Sequence, residues 1–167
     1  RGTTALSPDA FETAANETGA IVLDVRHQDD FIKGHIPRSI FIGLNGDFAP
    51  WVGALIADVE QPLLLVTPDG QEEEAITRLS RVGFDGTIGF LKGGFEAWKK
   101  ASKEYDTITS LSAAEVVNQI NSTETPVFDV RKETEYTSEH VIGAENTPLS
   151  DLNEYLAEFP NKGTFYV

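Results

Sequence analysis

Neither cysteine nor methionine occurs anywhere in the 167 residues. Without a thiol the chain can form no disulfide, no thiolate metal site and no sulfur nucleophile. It also carries no mark of the redox compartment it works in. The absent methionine, together with Arg1 at the start, leads us to expect a piece of a larger polypeptide. Long apolar runs are missing too: the longest, Pro62-Leu63-Leu64-Leu65-Val66, is one buried strand in length, far short of the 18 or more residues of a membrane span. No charged, then apolar, then small-residue leader opens the chain, so the expectation is a cytoplasmic protein with no membrane contact. Basic residues are scarce, 13 against 27 acidic, for a net charge of −14. Residues 1–105 carry 10 basic and 16 acidic side chains, and residues 106–167 carry 3 and 11. Such a surface repels phosphate backbones and anionic headgroups, which argues against nucleic-acid binding as well.

What is present is a repeat. Ile21-Val22-Leu23-Asp24-Val25-Arg26, followed by His35-Ile36, returns as Pro126-Val127-Phe128-Asp129-Val130-Arg131, followed by His140-Val141. The offset is 105 throughout, and 9 of the 37 positions in residues 6–42 are identical to their counterparts in residues 111–147. A period this long indicates a duplicated domain, because solenoid repeats run about 20–50 residues.

Each copy opens on a helix signal. Ser7-Pro8-Asp9 supplies a hydroxyl cap, a proline at the first helical position and an acid in the first turn, and Gly19 supplies a stop. Residues 21–25 are nearly all apolar, as in a strand buried on both faces. A short helix over 28–33, a strand over 39–42 and a helix over 48–57 burying Phe48, Trp51 and Leu55 follow. Then come a strand over 63–66, a helix over 70–82 with Ala75, Ile76, Leu79 and Val82 on one face, a strand over 87–91 and a helix from 95 to 100. Strands alternating with helices of about ten residues require crossover connections and a mainly parallel sheet covered on both faces. After residue 105 the pattern restarts. A helix capped by Ser112 runs to about residue 120, with a strand over 127–130, a helix over 149–158 and a strand over 164–167. The expected fold class is therefore α/β, with one complete unit (residues 1–105) and part of a second (residues 106–167).

Asp24-Val25-Arg26, Phe31, Gly34-His35-Ile36-Pro37, the strand over 63–66 with its glycine-containing loop, and Leu91-Lys92-Gly93-Gly94-Phe95-Glu96-Ala97-Trp98 together resemble a rhodanese domain. Asp129-Val130-Arg131, Tyr136 and His140-Val141-Ile142-Gly143-Ala144 resemble its opening a second time. Residues 47–53, 72–75, 78–79 and 81–83 are similar to the tandem rhodanese region of fusions in which a metallo-β-lactamase-fold domain, related to persulfide dioxygenases, comes first. The resemblance implies such a domain as the N-terminal partner in the same polypeptide, and no cofactor or metal in this part of it.

It also implies sulfane-sulfur transfer through a cysteine persulfide, held at the end of the strand matching residues 63–66 in a loop of inward-pointing N–H groups, often with an arginine. Mapped through Gly70, the cysteine position is Thr67, and the loop runs Thr67-Pro68-Asp69-Gly70-Gln71-Glu72-Glu73. A threonine hydroxyl carries no persulfide and is a poor nucleophile without an adjacent base. Pro68 removes one N–H, and Glu72 stands where the arginine is expected. A carboxylate about 5 Å from a monoanion costs roughly 3 kcal/mol at an effective dielectric of 20, so this loop is expected not to hold thiosulfate, sulfite or phosphate. The same acids also suit a helix N-terminus exposed to water.

The Asp24/Arg26 and Asp129/Arg131 pairs either surround the site or tie the strand-to-helix turn, and local pairing is the expectation. His35 and His140 lack partners at metal-ligand spacing and are expected to be buried and bonded to backbone. His27, replaced by Lys132 in the other copy, reads as surface, and Trp51 and Trp98 read as core. Three functions follow: a non-catalytic module of a sulfur-handling protein; a sulfurtransferase whose cysteine belongs to the complete second unit, whose loop is expected one or two residues past Val167; or, least favoured, a phosphatase, whose chemistry also needs a cysteine and an arginine. A metal-dependent hydrolase or dioxygenase activity is expected only of the parent.

Overall fold

In the computed structural model, which describes residues 4–167, the chain divides into two compact units, the first ending at Thr109 and the second spanning Ser110–Val167. The first unit is built on five parallel strands: β1 (Ala5–Leu6), β2 (Ile21–Asp24), β3 (Ile40–Phe41), β4 (Leu63–Val66) and β5 (Thr87–Leu91), in the order β1-β5-β4-β2-β3. Between them run α1 (Pro8–Thr18), α2 (Gln28–Lys33), α3 (Phe48–Leu55) and α4 (Glu72–Arg81), and α5 (Gly94–Lys100) follows β5. Five parallel strands with helices between them make the mainly parallel α/β sheet that the sequence pattern requires.

The period of two along each strand sorts the core into two layers. Leu23, Leu63 and Leu65 face α3 and α4 and pack with Phe48, Val52, Ala75 and Leu79. Val22, Leu64 and Val66 face the other way, against Phe11 of α1 and Phe95 and Trp98 of α5. Every β4 residue is buried, as expected of a central strand covered on both sides.

Local chemistry sets the ends of these elements. The Ser7 hydroxyl accepts from the Ala10 N–H at 3.3 Å, and Gly19 closes α1 with φ of +66°, a left-handed cap that glycine adopts without strain. Sequence and structure also part within this unit. The strand β1 escapes sequence patterning because two residues carry no period; the Phe90 and Lys92 N–H groups, donating to the Thr4 and Leu6 carbonyls, make it a strand. In α3 the fully buried residue after Phe48 is Val52, with Trp51 and Leu55 only half-buried. Val82 lies beyond the end of α4 and is 37% exposed. The first unit also continues past residue 105, because His35 and Asp106 exchange backbone hydrogen bonds at 2.9 Å each and the Ile108 N–H donates to Ile32.

The second unit holds α6 (Ala113–Ile120), β6 (Phe128–Asp129), α7 (Glu133–Ser138), β7 (Glu145–Asn146) and α8 (Leu152–Tyr155). Ser112 and Glu115 form a capping box at the start of α6. The helix expected over 149–158 is broken into one α turn flanked by two 3-10 turns, and the strand expected over 164–167 reduces to a parallel bridge between Val127 and Tyr166. Among the described residues no helix is long and apolar enough to cross a membrane.

Candidate functional site

Because all five strands of the first unit are parallel, their carboxyl ends line one edge. β3 lies on one side of β2 and β4 on the other, so the crevice where strand order changes direction opens beside the ends of β2 and β4. Thr67 follows the last residue of β4 there and is buried, 4% exposed. The chain then turns sharply: the Gln71 N–H donates to the Pro68 carbonyl at 3.1 Å, and Gly70 takes φ of +77°. Gly93 and Gly94, both left-handed at +77° and +62°, bring the start of α5 against this turn, since a Cβ on Gly94 would sit 3.6 Å from the Thr67 carbonyl oxygen.

Two positions of this loop withhold a donor from an anion. Pro68 has no N–H, and the Gln71 N–H is already turned back on the loop. The N-terminus of α4 carries Glu72, Glu73 and Glu74 in its first turn, acids that offset the positive end of the helix dipole. Glu72 is half-buried, whereas Asp69, Glu73 and Glu74 are exposed. The nearest cation on α4 is committed elsewhere. Arg78 donates to the Leu44 carbonyl at 2.6 Å, lies 5.1 Å from the Phe48 ring centre and pairs with Glu74 at 3.5 Å. The groove beside the loop is therefore mixed in sign, lined by Glu73 and Glu74 as well as Arg78 and Arg81.

At the end of β2, Asp24 and Arg26 meet side by side. Arg26 Nε donates to Asp24 Oδ1 at 2.9 Å and Nη2 to Oδ2 at 2.7 Å, and the same Nη2 donates to the Gly34 carbonyl at 2.7 Å. The Phe95 ring lies 4.5 Å from the guanidinium, and His35, stacked on Phe31, donates its Nδ1–H to the Phe31 carbonyl at 2.9 Å. Asp24, fully buried, pairs in register with Val66, one residue before Thr67. The two groups so clasp each other and the α2 terminus rather than pointing free charge at the loop. Gly34 is required by close approach and not by conformation: a Cβ there would meet the Phe95 ring at 2.7 and 2.9 Å. Since Phe95 is buried and cannot swing away, Gly34→Ala should cost about 1–3 kcal/mol, read as a lowered thermal midpoint.

The same clasp recurs in the second unit. Arg131 Nε and Nη2 donate to Asp129 at 3.0 and 2.6 Å, Nη2 also donates to the Glu139 carbonyl at 2.7 Å, and His140, stacked on Tyr136, donates to the Tyr136 carbonyl at 2.7 Å. Glu139 occupies the position of Gly34 plus 105. His140, however, is exposed and not buried as expected; among the described residues no aromatic ring lies over Arg131 as Phe95 lies over Arg26. Tyr166 lies opposite Val127 as Leu64 lies opposite Val22, so Val167 matches Leu65 and the match to Thr67 falls two positions further on, within the expected one or two.

The paired guanidinium holds the Asp129 carboxyl below the usual carboxylate range; its hydrogen bonds are the main cause, opposed by desolvation. A carboxyl depressed on folding contributes stability that is present above its unfolded value, near about 4, and is lost as pH falls through the lower folded value. Hydrogen exchange at the Arg131 amide, which donates to Asp129 Oδ1, should therefore accelerate below about pH 4 beyond the intrinsic trend. Asp129→Asn should remove that acid-dependent increment.

Two roles escaped the sequence reading. His27 is exposed, as expected, but its Nδ1 also accepts from the Asp29 N–H at 3.2 Å and caps α2; the proximity of two acids in the following turn was the available signal. Phe95 is the partner of Arg26, and no local pattern links residues so far apart. Among the described residues no group of three or more His, Asp or Glu side chains comes together as a metal site would need.

A model of the rhodanese-like domain matches residues 7–101. The thiosulfate sulfurtransferase GlpE of Pseudomonas aeruginosa is 35% identical over 100 residues, covering 59% of this chain and 84% of that one. The uncharacterised protein YibN of Escherichia coli K12 is 34% identical over 84 residues, and this chain spans 58% of its length. The crystal structure of Alr3790 from Anabaena superposes with a TM-score of 0.54 at 21% identity, over 70% of this chain and 88% of that one, a likeness of fold. The family match extends over more than half of the sequence and takes in four of the five strands (β2 to β5), the Asp24–Arg26 clasp and the Thr67 loop: the chain belongs to the rhodanese-like domain family.

Proposed function

We propose that the first unit is a non-catalytic rhodanese-like module of a larger sulfur-handling protein. The observation that carries this reading is Thr67: the strand end where the family places its sulfur carrier holds a buried threonine, followed by a proline and then by acids at the helix start. Relatives named as thiosulfate sulfurtransferases support sulfur chemistry as the setting, and the loop supports packing or positioning as this unit's part in it. A thiosulfate:cyanide sulfurtransferase assay on the chain should give the blank rate, and Thr67→Cys alone should leave it there. Turnover by the unmodified chain would sink the proposal.

The repeated clasp favours a second reading alongside the first. Ser110–Val167 is then the opening of a second rhodanese-like unit, and the sulfurtransferase activity of the parent, if it has one, belongs to that unit when complete. The similarity of residues 47–53, 72–75, 78–79 and 81–83 to metallo-β-lactamase-fold fusions supports placing both units in such a parent, where a hydrolase or dioxygenase chemistry would reside on the other domain.

A further inference from the structure

Ile36-Pro37-Arg38-Ser39 is a tight turn, closed by the Ser39 N–H donating to the Ile36 carbonyl at 3.1 Å. Arg38 takes its third position with φ of +64°, a backbone that glycine adopts freely and a residue with a Cβ adopts under strain. The second copy makes the same turn without that strain. There the Ala144 N–H donates to the Val141 carbonyl at 2.9 Å, and Gly143, the counterpart of Arg38, takes φ of +85°. The arginine gives the fold little in return, since it is exposed and forms no ion pair among the described residues. It borders instead a cavity of about 140 Å³ between α1, β2 and α5. Because Arg38 precedes β3, this cavity lies toward the amino-terminal edge of the parallel sheet, away from Thr67. Phe11, Val22, Ile36 and Trp98 form its apolar wall, each 7% exposed or less. On the rim Glu12 is paired with Lys103, whereas Glu104, like Arg38, forms no ion pair among the described residues. The Trp98 Nε1–H donates to the Glu104 carbonyl at 2.8 Å, which fixes that side of the rim.

We infer that this cavity binds a small zwitterion with an apolar body, an α-amino acid with an aliphatic side chain. The ligand carboxylate meets the Arg38 guanidinium, its ammonium meets the Glu104 carboxylate, and its side chain rests on Phe11 and Trp98. Size fits this class, because an apolar cavity of about 150 Å³ takes a group the size of benzene, and a branched four-carbon side chain is no larger. Charge fits it too. A guanidinium and a carboxylate border one cavity without pairing with each other, so a ligand of a single sign would satisfy one and face repulsion from the other. Strain supplies the reason for an arginine at a glycine position: a side chain that the fold does not use is held there at a cost to the backbone. The inference concerns residues other than those of the Thr67 loop and stands whether or not that loop transfers sulfur.

The test is an NMR titration of the full, isotope-labelled chain, read at the two tryptophan indole N–H signals, which Trp51→Phe assigns. L-leucine should shift the Trp98 signal saturably and leave that of Trp51, packed on the other face of the sheet, in place. Isocaproate, which is leucine without its ammonium, and isoamylamine, which is leucine without its carboxylate, should each bind about tenfold more weakly or worse. Arg38→Gly should weaken leucine binding by about tenfold or more, while the thermal midpoint holds or rises because the turn loses its strain. Glu104→Gln should weaken leucine several-fold and leave isocaproate unchanged or tighter. A Trp98 signal that leucine does not move overturns the inference, and so does equal binding of all three ligands. Leucine binding that survives Arg38→Gly overturns it as well. A thermal midpoint lowered by Arg38→Gly would make the arginine a part of the fold and remove the argument from strain.

Discussion

Arg26→Ala should destabilise the first unit by about 3–5 kcal/mol, whereas the same substitution at Arg131 should barely move the second. The two arginines make nearly the same hydrogen bonds, so the contrast isolates burial. The Asp24 side chain is 0% exposed and that of Arg26 10%; for Asp129 and Arg131 the figures are 11% and 47%. Removing Arg26 leaves a carboxylate beneath α5 with one backbone N–H, that of residue 26 at 3.1 Å, as its remaining donor on the clasp. It also strands the Gly34 carbonyl and uncovers the Phe95 ring. Removing Arg131 leaves a carboxylate that water can reach, and an exposed pair contributes little to begin with. Arg26→Lys should fall between, since one ammonium cannot span both Asp24 oxygens and the Gly34 carbonyl. Trp51 and Trp98 are the two tryptophans of the chain and both lie in the first unit, so urea unfolding followed by tryptophan fluorescence reads that unit alone. A loss below about 1 kcal/mol for Arg26→Ala would place the pair with ordinary surface bridges and defeat the argument.

The division between what was legible in the sequence and what was not follows the range of the forces involved. Elements whose ends are set by neighbours, such as α1 between Ser7 and Gly19 or α2 ending at Gly34, can be read because capping acts over three or four residues. The central strands can be read because burial on both faces leaves an unbroken apolar run. The segment over 149–158 misleads for the complementary reason. Leu149, Leu152 and Leu156 have helical spacing, but Leu156 stays 56% exposed, and a short helix without a surface to pack on gains too little to hold one continuous ladder. At the site, the identity of Thr67 and the acids of the loop were legible as residues at known spacing. The direction of Arg78, toward Leu44 instead of the loop, was not. Nor was the seat of Phe95 on Arg26, because both contacts join residues far apart in the chain and exist only once the sheet has assembled.

With Arg78 directed toward Leu44, the proposed non-catalytic role is tested by substitutions in the loop itself. Thr67→Cys with Pro68→Ala and Glu72→Arg should raise thiosulfate-dependent cyanide turnover about a hundredfold or more above Thr67→Cys alone. The single substitution supplies a thiol in a setting that opposes its ionisation. A cysteine ionises near about pH 8.5 when unperturbed, and the half-buried Glu72 with two further acids at the helix start should push it higher. Proline at 68 meanwhile withholds an N–H from the thiolate. Pro68→Ala returns that donor. Glu72→Arg reverses the sign of a charge worth roughly 3 kcal/mol at about 5 Å in an effective dielectric of 20; even half of the resulting swing, after solvent screening, corresponds to about a hundredfold at 1.4 kcal/mol per tenfold. Because a helix N-terminus favours the thiolate once its acids are reduced in number, the pH dependence of iodoacetamide alkylation should show the same order, with the triple variant ionising at lower pH than the single. Alkylation separates the two causes of a silent assay. If the thiol of the triple variant ionises early yet transfers no sulfur, the charge argument stands and the loop lacks donor-binding geometry. If both variants alkylate with the same pH profile, the acids of α4 do not govern this loop, and the charge argument behind the proposed non-catalytic role fails with them.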